Sequence, residues 1–112
     1  MPDCLFCRIA AGEIPVEAVY QDDSVFAFRD INPQAPVHVL VIPKAHVGNA
    51  ASLSADAPVT QMVRAAAQIA RQQGIAEGGY RLVFNVGPNA GETVPHLHLH
   101  LIGGRARGWP PG

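Results

Sequence analysis

Residues 96–101 alternate histidine and leucine in the order His-Leu-His-Leu-His-Leu. In a β-strand successive side chains point to opposite faces, so this order gives one face of leucines and one of histidines. We expect the leucines in the core and the histidines in a row, about 6.6–6.8 Å apart. A polar strand face normally carries Thr, Ser, Lys or Glu, so three imidazoles in a row indicate a functional site on one face of a sheet.

The rest of the chain supplies partners for this strand. Short apolar runs bounded by Pro, Gly and Asp are typical of strands, and an apolar stripe at helical spacing is typical of an amphipathic helix. Asp3 is the expected N-cap of the first helix. Because two neighbouring strands predict a hairpin, we expect an α+β fold with an antiparallel sheet rather than a doubly wound α/β fold. The predicted helices cover 3–11 and 56–73, and the predicted strands cover 16–21, 24–29, 38–42, 80–86 and 97–102.

The bulk properties of the chain narrow its class. Its 112 residues and net charge of −1 suit one domain over residues 1–112. That charge argues against a nucleic-acid partner, which requires a strongly basic surface. No stretch reaches the roughly 18 apolar residues of a membrane span, and the N-terminus lacks signal-peptide features. We therefore expect a cytoplasmic protein with no membrane partner.

Two kinds of chemistry compete for the histidine row. Imidazole is the commonest metal ligand, but His96, His98 and His100 lie too far apart along one strand to converge on a single ion at about 2.0–2.1 Å. Two of them with a ligand from elsewhere could do so. The alternative is an imidazole that attacks an electrophile and forms a covalent intermediate. The glycine-bearing loop 87–95 favours this alternative, because its N–H groups and the Thr93 hydroxyl suit a phosphate.

Motifs spread over nearly the whole chain resemble one family. They are Cys4-Leu-Phe-Cys-Arg-Ile, Gly12-Glu-Ile-Pro15, Phe28-Arg-Asp-Ile-Asn-Pro-Gln-Ala-Pro36, His38-Val-Leu-Val-Ile-Pro-Lys44, His46, the histidine row, Gly103-Gly104 and Trp109-Pro-Pro-Gly112. Together they resemble the histidine triad (HIT) superfamily of nucleotide hydrolases and transferases. Within it, His100 and the terminal Trp-Pro-Pro-Gly resemble the histidine triad nucleotide-binding (Hint) branch.

The resemblance implies an activity and an assembly. Members of that branch hydrolyse the P–N bond of purine nucleoside phosphoramidates, such as adenosine 5′-monophosphoramidate and AMP-lysine, and they act on aminoacyl-adenylates. They are homodimers in which two five-stranded sheets join into a ten-stranded sheet, and the tail 103–112 is expected to contribute to the dimer. Purine nucleotides of the AMP or GMP type are thus the expected ligands. The alternatives are a dinucleoside polyphosphate hydrolase, whose branch carries Gln where His100 stands, and a nucleotide-sensing module that binds a partner.

The resemblance also assigns catalytic roles. His98 would attack the α-phosphorus and form a nucleotidyl-histidine that water hydrolyses, while the main-chain carbonyl of His96 accepts a hydrogen bond from its other ring nitrogen. His100 and Thr93 would bond the phosphate oxygens or the leaving group. His38 would lie beside His98 as a candidate for proton transfer.

A nucleotide pocket follows from the same comparison. Asp30 would accept hydrogen bonds from both ribose hydroxyls, as a carboxylate with two acceptor oxygens can. The residues expected at the base are Phe6, Ile9, Phe28, Ile31 and Leu40, and those at the phosphate are Asn85, Gly91, Thr93, Val94, His98 and His100. Without the resemblance, the apolar residues at the base are equally compatible with an ordinary core, Asp30 with a turn, and Asn85 with a strand end.

The loop departs from the vertebrate type of this branch. It has Glu92 in place of Gln, Thr93 in place of Ser, and Pro95 before the histidine row. Threonine keeps the hydroxyl. Glu92 is expected to repel an anionic leaving group, because like charges repel.

The cysteines form a Cys-x-x-Cys pair near the start of a helix. Spacing of three places Cys4 and Cys7 on one helix face, which suits a redox pair, half of a zinc site, or two packed free thiols. A thioredoxin-like βαβ context for the redox pair is absent. In zinc-bearing relatives the matching positions supply the remaining ligands, so the resemblance implies structural Zn²⁺ on Cys4, Cys7, His46 and His96.

Overall fold

A computed structural model describes residues 4–112, so the expected cap Asp3 lies outside the described range. In chain order the elements are α1 (Leu5–Ala10), β1 (Tyr20–Gln21), β2 (Val25–Arg29), β3 (Val37–Pro43), α2 (Val59–Gln72), β4 (Tyr80–Val83) and β5 (Leu99–Gly103). The strands form one antiparallel sheet in the order β1-β2-β3-β5-β4. The predicted α+β class, with a five-stranded antiparallel sheet and two helices, is confirmed.

The central strand β3 shows how the sheet divides its side chains between two cores. Val39 and Val41 pack in the cluster that contains α2, whereas Leu40 and Ile42 pack in the cluster that contains α1. The three leucines of residues 97–101 join the α2 cluster. Both faces of the sheet are therefore covered by a helix, and alternation along each strand decides which helix a side chain meets.

The histidine row faces α1. The ring of Phe6 stands edge-on to His98, with centroids 5.1 Å apart, and edge-on to His96 at 6.0 Å. The rings of His98 and His100 lie 5.1 Å apart. The predicted division of residues 96–101 into a leucine face and a histidine face is confirmed.

Helix α2 follows its predicted pattern with a later start. It begins at Val59, because the chain before it forms turns that end at Pro58, and Gly74 after its end has a φ of +75° that glycine adopts without strain. Within residues 4–112, no helix is long and apolar enough to cross a membrane. The side chains buried along one stripe of α2 are Met62, Ala65, Ala66, Ile69 and Ala70.

Helix α1 is capped by a cysteine. The Sγ of Cys4 accepts a hydrogen bond from the backbone N–H of Cys7 at 3.4 Å. The helix buries Phe6 and Ile9 against the sheet. Because Phe6 and Ile9 anchor the helix on the sheet, Cys4 and Cys7 are held beside His96.

Strand β1 is shorter than predicted. Of the predicted range 16–21, only Tyr20 and Gln21 lie in the sheet. Val19 still donates to the carbonyl of Ala27 at 2.8 Å, but the residues before it turn towards α1 and pack on its cluster. Apolar residues there cover the helix rather than extend the sheet.

Strand β5 begins at Leu99, two residues later than predicted, and β4 ends at Val83 instead of residue 86. The backbone N–H of Leu97 donates to the carbonyl of Val47. The chain at 96–98 therefore pairs with the segment that follows β3, and His96 and His98 precede the regular strand.

Candidate functional site

A cavity of about 690 Å³ opens on the α1 face of the sheet. Its polar side holds Asp30, Thr93, His98 and His100. Its apolar wall is much larger, as is usual for sites that bind small organic ligands. That wall consists of Leu5, Phe6, Ile9, Ile14, Pro15, Val16, Val19, Phe28, Ile31, Leu40 and Val94, with the exposed Glu17 and Arg29 at its rim.

His98 is held by the main chain. Its Nδ1 donates to the carbonyl oxygen of His96 at 2.7 Å, and its side chain is buried against Phe6. With the proton on Nδ1, the neutral ring keeps a free electron pair on Nε2. His98 therefore presents a nucleophilic nitrogen in the wall of the cavity.

His100 has the opposite arrangement of protons. The backbone N–H of Gln34 donates to His38 Nδ1 at 3.0 Å, so the ring proton of His38 lies on Nε2. That nitrogen is 2.9 Å from His100 Nδ1 and donates to it. The proton of His100 consequently lies on Nε2. The side-chain amide of Asn85 is 3.5 Å from this nitrogen, and its oxygen can accept the hydrogen bond after an amide rotation.

Burial favours the neutral forms of the His38 and His100 rings. Burial, helped by the neighbouring rings of His98 and His38, lowers the pKa of His100 to about 4. Burial also lowers the pKa of His38, against the opposing effect of the Asp30 carboxylate. The resemblance implies His38 beside His98, and the structure shows His38 in direct contact with His100, with the N–H of Gln34 bound to its other ring nitrogen.

Asp30 lies next to this chain of rings. Its Oδ1 accepts from the N–H of Asn32 at 2.8 Å, and its Oδ2 is 3.4 Å from His38 Nε2. Donor atoms of Asp30, His38 and His100 lie within 4.8 Å of one another, a spacing that a metal ion could bridge. A metal on His38 Nε2 would move the ring proton to Nδ1, opposite the N–H of Gln34. The geometry therefore favours hydrogen bonds over a metal at this position.

The loop before the histidines carries two residues to the cavity. Glycines with positive φ stand on both sides of the Pro88–Ala90 turn, at Gly87 (+84°) and Gly91 (+83°). Beyond them Thr93 and Val94 line the cavity, while Gly91 and Asn85 are absent from the wall described within residues 4–112. The Glu92 carboxylate accepts hydrogen bonds from the backbone N–H of Gly87 and from the side chain of Asn49. Its expected repulsion of an anionic leaving group stays a prediction.

The predicted base-contacting residues divide by exposure. Phe6, Ile9, Phe28 and Leu40 are buried in the wall, whereas Ile31 is fully exposed at its rim. The segment from Ile14 to Val19 also forms wall, which the sequence did not assign to the site. Its signal was the Gly-Glu-Ile-Pro motif at 12–15, which the family resemblance included but to which no role was given.

A second cluster, of two thiols and two imidazoles, lies next to Phe6, whose ring contacts His96. Cys4 Sγ and Cys7 Sγ are 3.3 and 3.4 Å from His96 Nδ1, and Cys7 Sγ is 3.2 Å from His46 Nδ1. The four donor atoms lie within 4.8 Å of one another. Tetrahedral Zn²⁺ with bonds of about 2.3 Å to sulfur and 2.0–2.1 Å to nitrogen holds such ligands roughly 3.5 Å apart, so this set fits zinc.

The backbone prepares His96 for that cluster. Its Nε2 is 2.9 Å from the carbonyl oxygen of Pro43 and donates to it, which leaves Nδ1 unprotonated towards the thiols. The ring is fully buried. The sequence-predicted ligands Cys4, Cys7, His46 and His96 are thus brought together.

We predict that His100 destabilises the fold in acid. Its pKa of about 4 lies below the unfolded value of 6.5, so the unfolded chain binds this proton more readily and stability is lost as the pH falls from 6.5 towards 4. Unfolding in urea across this range measures the loss, and His100→Gln should reduce it. Imidazole ¹⁵N spectra that show a charged His100 near neutral pH would contradict the prediction.

Comparison with known proteins gives the family. A model described as the HIT domain matches residues 11–107. Purine nucleoside phosphoramidase of Escherichia coli strain K12 is 47% identical over 108 residues, which cover 95% of this chain and 91% of that protein. A 14 kDa zinc-binding protein of Brassica juncea is 45% identical over 114 residues, covering 98% of this chain and 100% of that protein.

Among solved structures, a HIT family hydrolase from Legionella pneumophila Philadelphia 1 superposes with a TM-score of 0.94 at 47% identity, covering 98% of this chain and 100% of that one. The HIT-like fold expected from the sequence is confirmed. Since the family's domain spans most of the residues and close relatives span nearly all of them, this chain belongs to the HIT family.

Proposed function

We propose that this chain is a hydrolase that cleaves the P–N bond of adenosine 5′-phosphoramidates through a nucleotidyl-histidine on His98. The observation that carries the proposal is the 2.7 Å hydrogen bond from His98 Nδ1 to the His96 carbonyl, which leaves Nε2 free at the cavity. The relatives named a phosphoramidase and a HIT family hydrolase support this chemistry.

The distribution of apolar and polar residues in the cavity suits one orientation of a bound nucleoside monophosphate. We propose that the purine packs in the apolar wall between Phe6, Ile9, Phe28 and Leu40, with Ile31 covering its exposed edge. The ribose hydroxyls would donate to the carboxylate of Asp30. The phosphate would then lie near Thr93, Val94 and the rings of His98 and His100, with Gly91 and Asn85 behind them.

The protonation of the two rings defines their parts in the reaction. His98 Nε2 attacks the phosphorus in line, the P–N bond to the amine breaks, and the departing amine takes up a proton from solvent water. The His100 Nε2–H and the Thr93 hydroxyl donate to the phosphate oxygens and stabilise the charge of the transition state. Water then attacks the phosphorus of the intermediate, its proton passes to solvent, and the bond from phosphorus to His98 Nε2 breaks, which restores the free ring and releases the nucleoside monophosphate. His38 holds the His100 proton on Nε2, and His96 holds His98 through its carbonyl.

We expect His98→Ala to lower kcat/KM on a fluorogenic adenosine phosphoramidate by at least about a thousandfold, because it removes the nucleophile. The variant should still bind AMP, which isothermal titration measures. Diadenosine polyphosphates tested in parallel distinguish the alternative hydrolase. A wild-type chain no faster than His98→Ala on every substrate would exclude the enzymatic proposal and favour a nucleotide-binding module.

We further propose that Cys4, Cys7, His46 and His96 hold structural Zn²⁺. The support is the fit of the four donor atoms and the relative named a zinc-binding protein. When bound, the ion would tie α1 to the segment after β3 and to the start of the histidine row.

Protein purified without chelators or a metal-affinity tag should contain about one zinc per chain, measured by elemental analysis. The double variant Cys4→Ala/Cys7→Ala should lose it and melt at a lower temperature, because both sulfur ligands are gone. Asp30→Asn is the matched control and should keep its zinc. Less than about a tenth of an equivalent in the wild type would exclude the site.

We also propose a homodimer in which β4 pairs with its counterpart to give a ten-stranded sheet. The support is that β4 ends the sheet and carries the exposed Leu82, followed by the exposed Val86. Trp109 in the tail after β5 is 84% exposed and available to a second chain.

The cytoplasmic location expected from the sequence stays a prediction.

Sedimentation equilibrium should give the mass of two 11.9 kDa chains. Leu82→Glu should shift the mass towards one chain, because it places a charge at the proposed joint. Leu53→Glu, at another exposed leucine, is the control and should leave the mass unchanged. A monomeric wild type at all concentrations tested would reject the dimer.

A further inference from the structure

The Glu92 side chain closes the loop that precedes the histidine row. Its Oε1 accepts from the backbone N–H of Gly87 at 2.9 Å, and its own N–H donates to the Gly87 carbonyl at 3.2 Å. The same Oε1 accepts from Asn49 Nδ2 at 3.2 Å. One carboxylate oxygen thus joins Glu92 to the start of the loop at Gly87 and ties both to the segment after β3. We call the contacts among Gly87, Glu92 and Asn49 the clasp.

Asn49 is itself fixed in place. Its Oδ1 accepts from the N–H of Ala51 at 3.0 Å, and its own N–H donates to Ser52 Oγ at 3.3 Å. These bonds cap the short helical turn Ala50–Ser52 and fix the direction in which Nδ2 points. Glu92 is therefore bound to a rigid neighbour.

The residue after this clasp is the one that reaches the phosphate side of the cavity. Thr93 is exposed, and within residues 4–112 its side chain makes no hydrogen bond, so its position depends on the backbone that carries it. At the other end, Leu97 donates to the carbonyl of Val47, in the same segment as Asn49. Residues 92–97 are thus held at both ends by one stretch of chain.

We propose that Glu92 and Asn49 are positioning residues that hold Thr93 and Val94 at the phosphate end of the cavity. The inference rests on the proposed phosphoramidase. Displacement of a group by about 1 Å can cost roughly a hundredfold in rate, so a clasp one residue from Thr93 matters for the chemical step. The base and ribose positions lie elsewhere, so the clasp affects turnover more than binding.

We expect Glu92→Ala to lower kcat on the phosphoramidate by about tenfold or more and to change KM by less than about twofold. Glu92→Gln should stay within about threefold of the wild type, because its amide oxygen can accept both hydrogen bonds. Glu77→Ala removes an exposed glutamate remote from the loop and should leave kcat unchanged.

A pair of substitutions tests the contact itself. Asn49→Asp keeps an oxygen for the N–H of Ala51 but sets a carboxylate against Glu92, so kcat should fall as in Glu92→Ala. In Asn49→Asp combined with Glu92→Gln, the new amide donates to the new carboxylate and accepts from Gly87, so kcat should recover. Recovery of kcat at unchanged KM in the double variant would show that the contact between the two side chains, rather than either side chain alone, sets the rate.

Amide hydrogen exchange at Gly87 gives a readout independent of turnover. Exchange should be at least about tenfold faster in Glu92→Ala and Asn49→Asp, and near the wild-type rate in the double variant. Unchanged exchange, or unchanged kcat in Glu92→Ala with faster exchange, would overturn the positioning role. If the wild type itself shows no turnover, the proposed function fails, and the exchange data still decide whether the clasp exists.

Discussion

The two-residue period of β3 and β5 decides where the chemistry of this protein lies. Along both strands one side chain enters the core under α2 and the next faces α1. Because leucines fill the first core, the histidines are forced onto the second face, under a helix of only six residues. A helix that short covers the sheet incompletely, and the cavity is the space that remains between its apolar side chains and the strands.

His96 links the two polar clusters of that face. Its ring lies between the thiols and the carbonyl of Pro43, while its own carbonyl accepts the hydrogen bond that orients His98. The ring and the carbonyl of this one residue therefore belong to different clusters. Phe6, which contacts both His96 and His98, couples them further through packing.

Much of this arrangement could be predicted from the sequence, because it depends on local periodicity. The two faces of residues 96–101 and the stripe of α2 follow from spacing alone, and the family resemblance gave the residues of both clusters. Contacts between distant segments could not be predicted in the same way. The turn of His38 towards His100 depends on one backbone N–H of Gln34, and the direction of the Glu92 carboxylate depends on Asn49, forty-three residues earlier. Spacing along the chain does not encode such hydrogen bonds.

The main chain makes two identical side chains chemically opposite. A carbonyl acceptor at His96 fixes the proton of His98 on Nδ1, so its Nε2 carries an electron pair. The series of hydrogen bonds that ends at His100 begins instead with a donor, the N–H of Gln34, and passes through His38. Nε2 of His100 therefore carries the proton. A backbone amide does not titrate near neutral pH, so both tautomers persist for as long as the rings are neutral. One cavity can therefore present a free electron pair and a hydrogen-bond donor from neighbouring imidazoles. The difference between them is set by a carbonyl oxygen at His98 and, through His38, by a backbone N–H at His100.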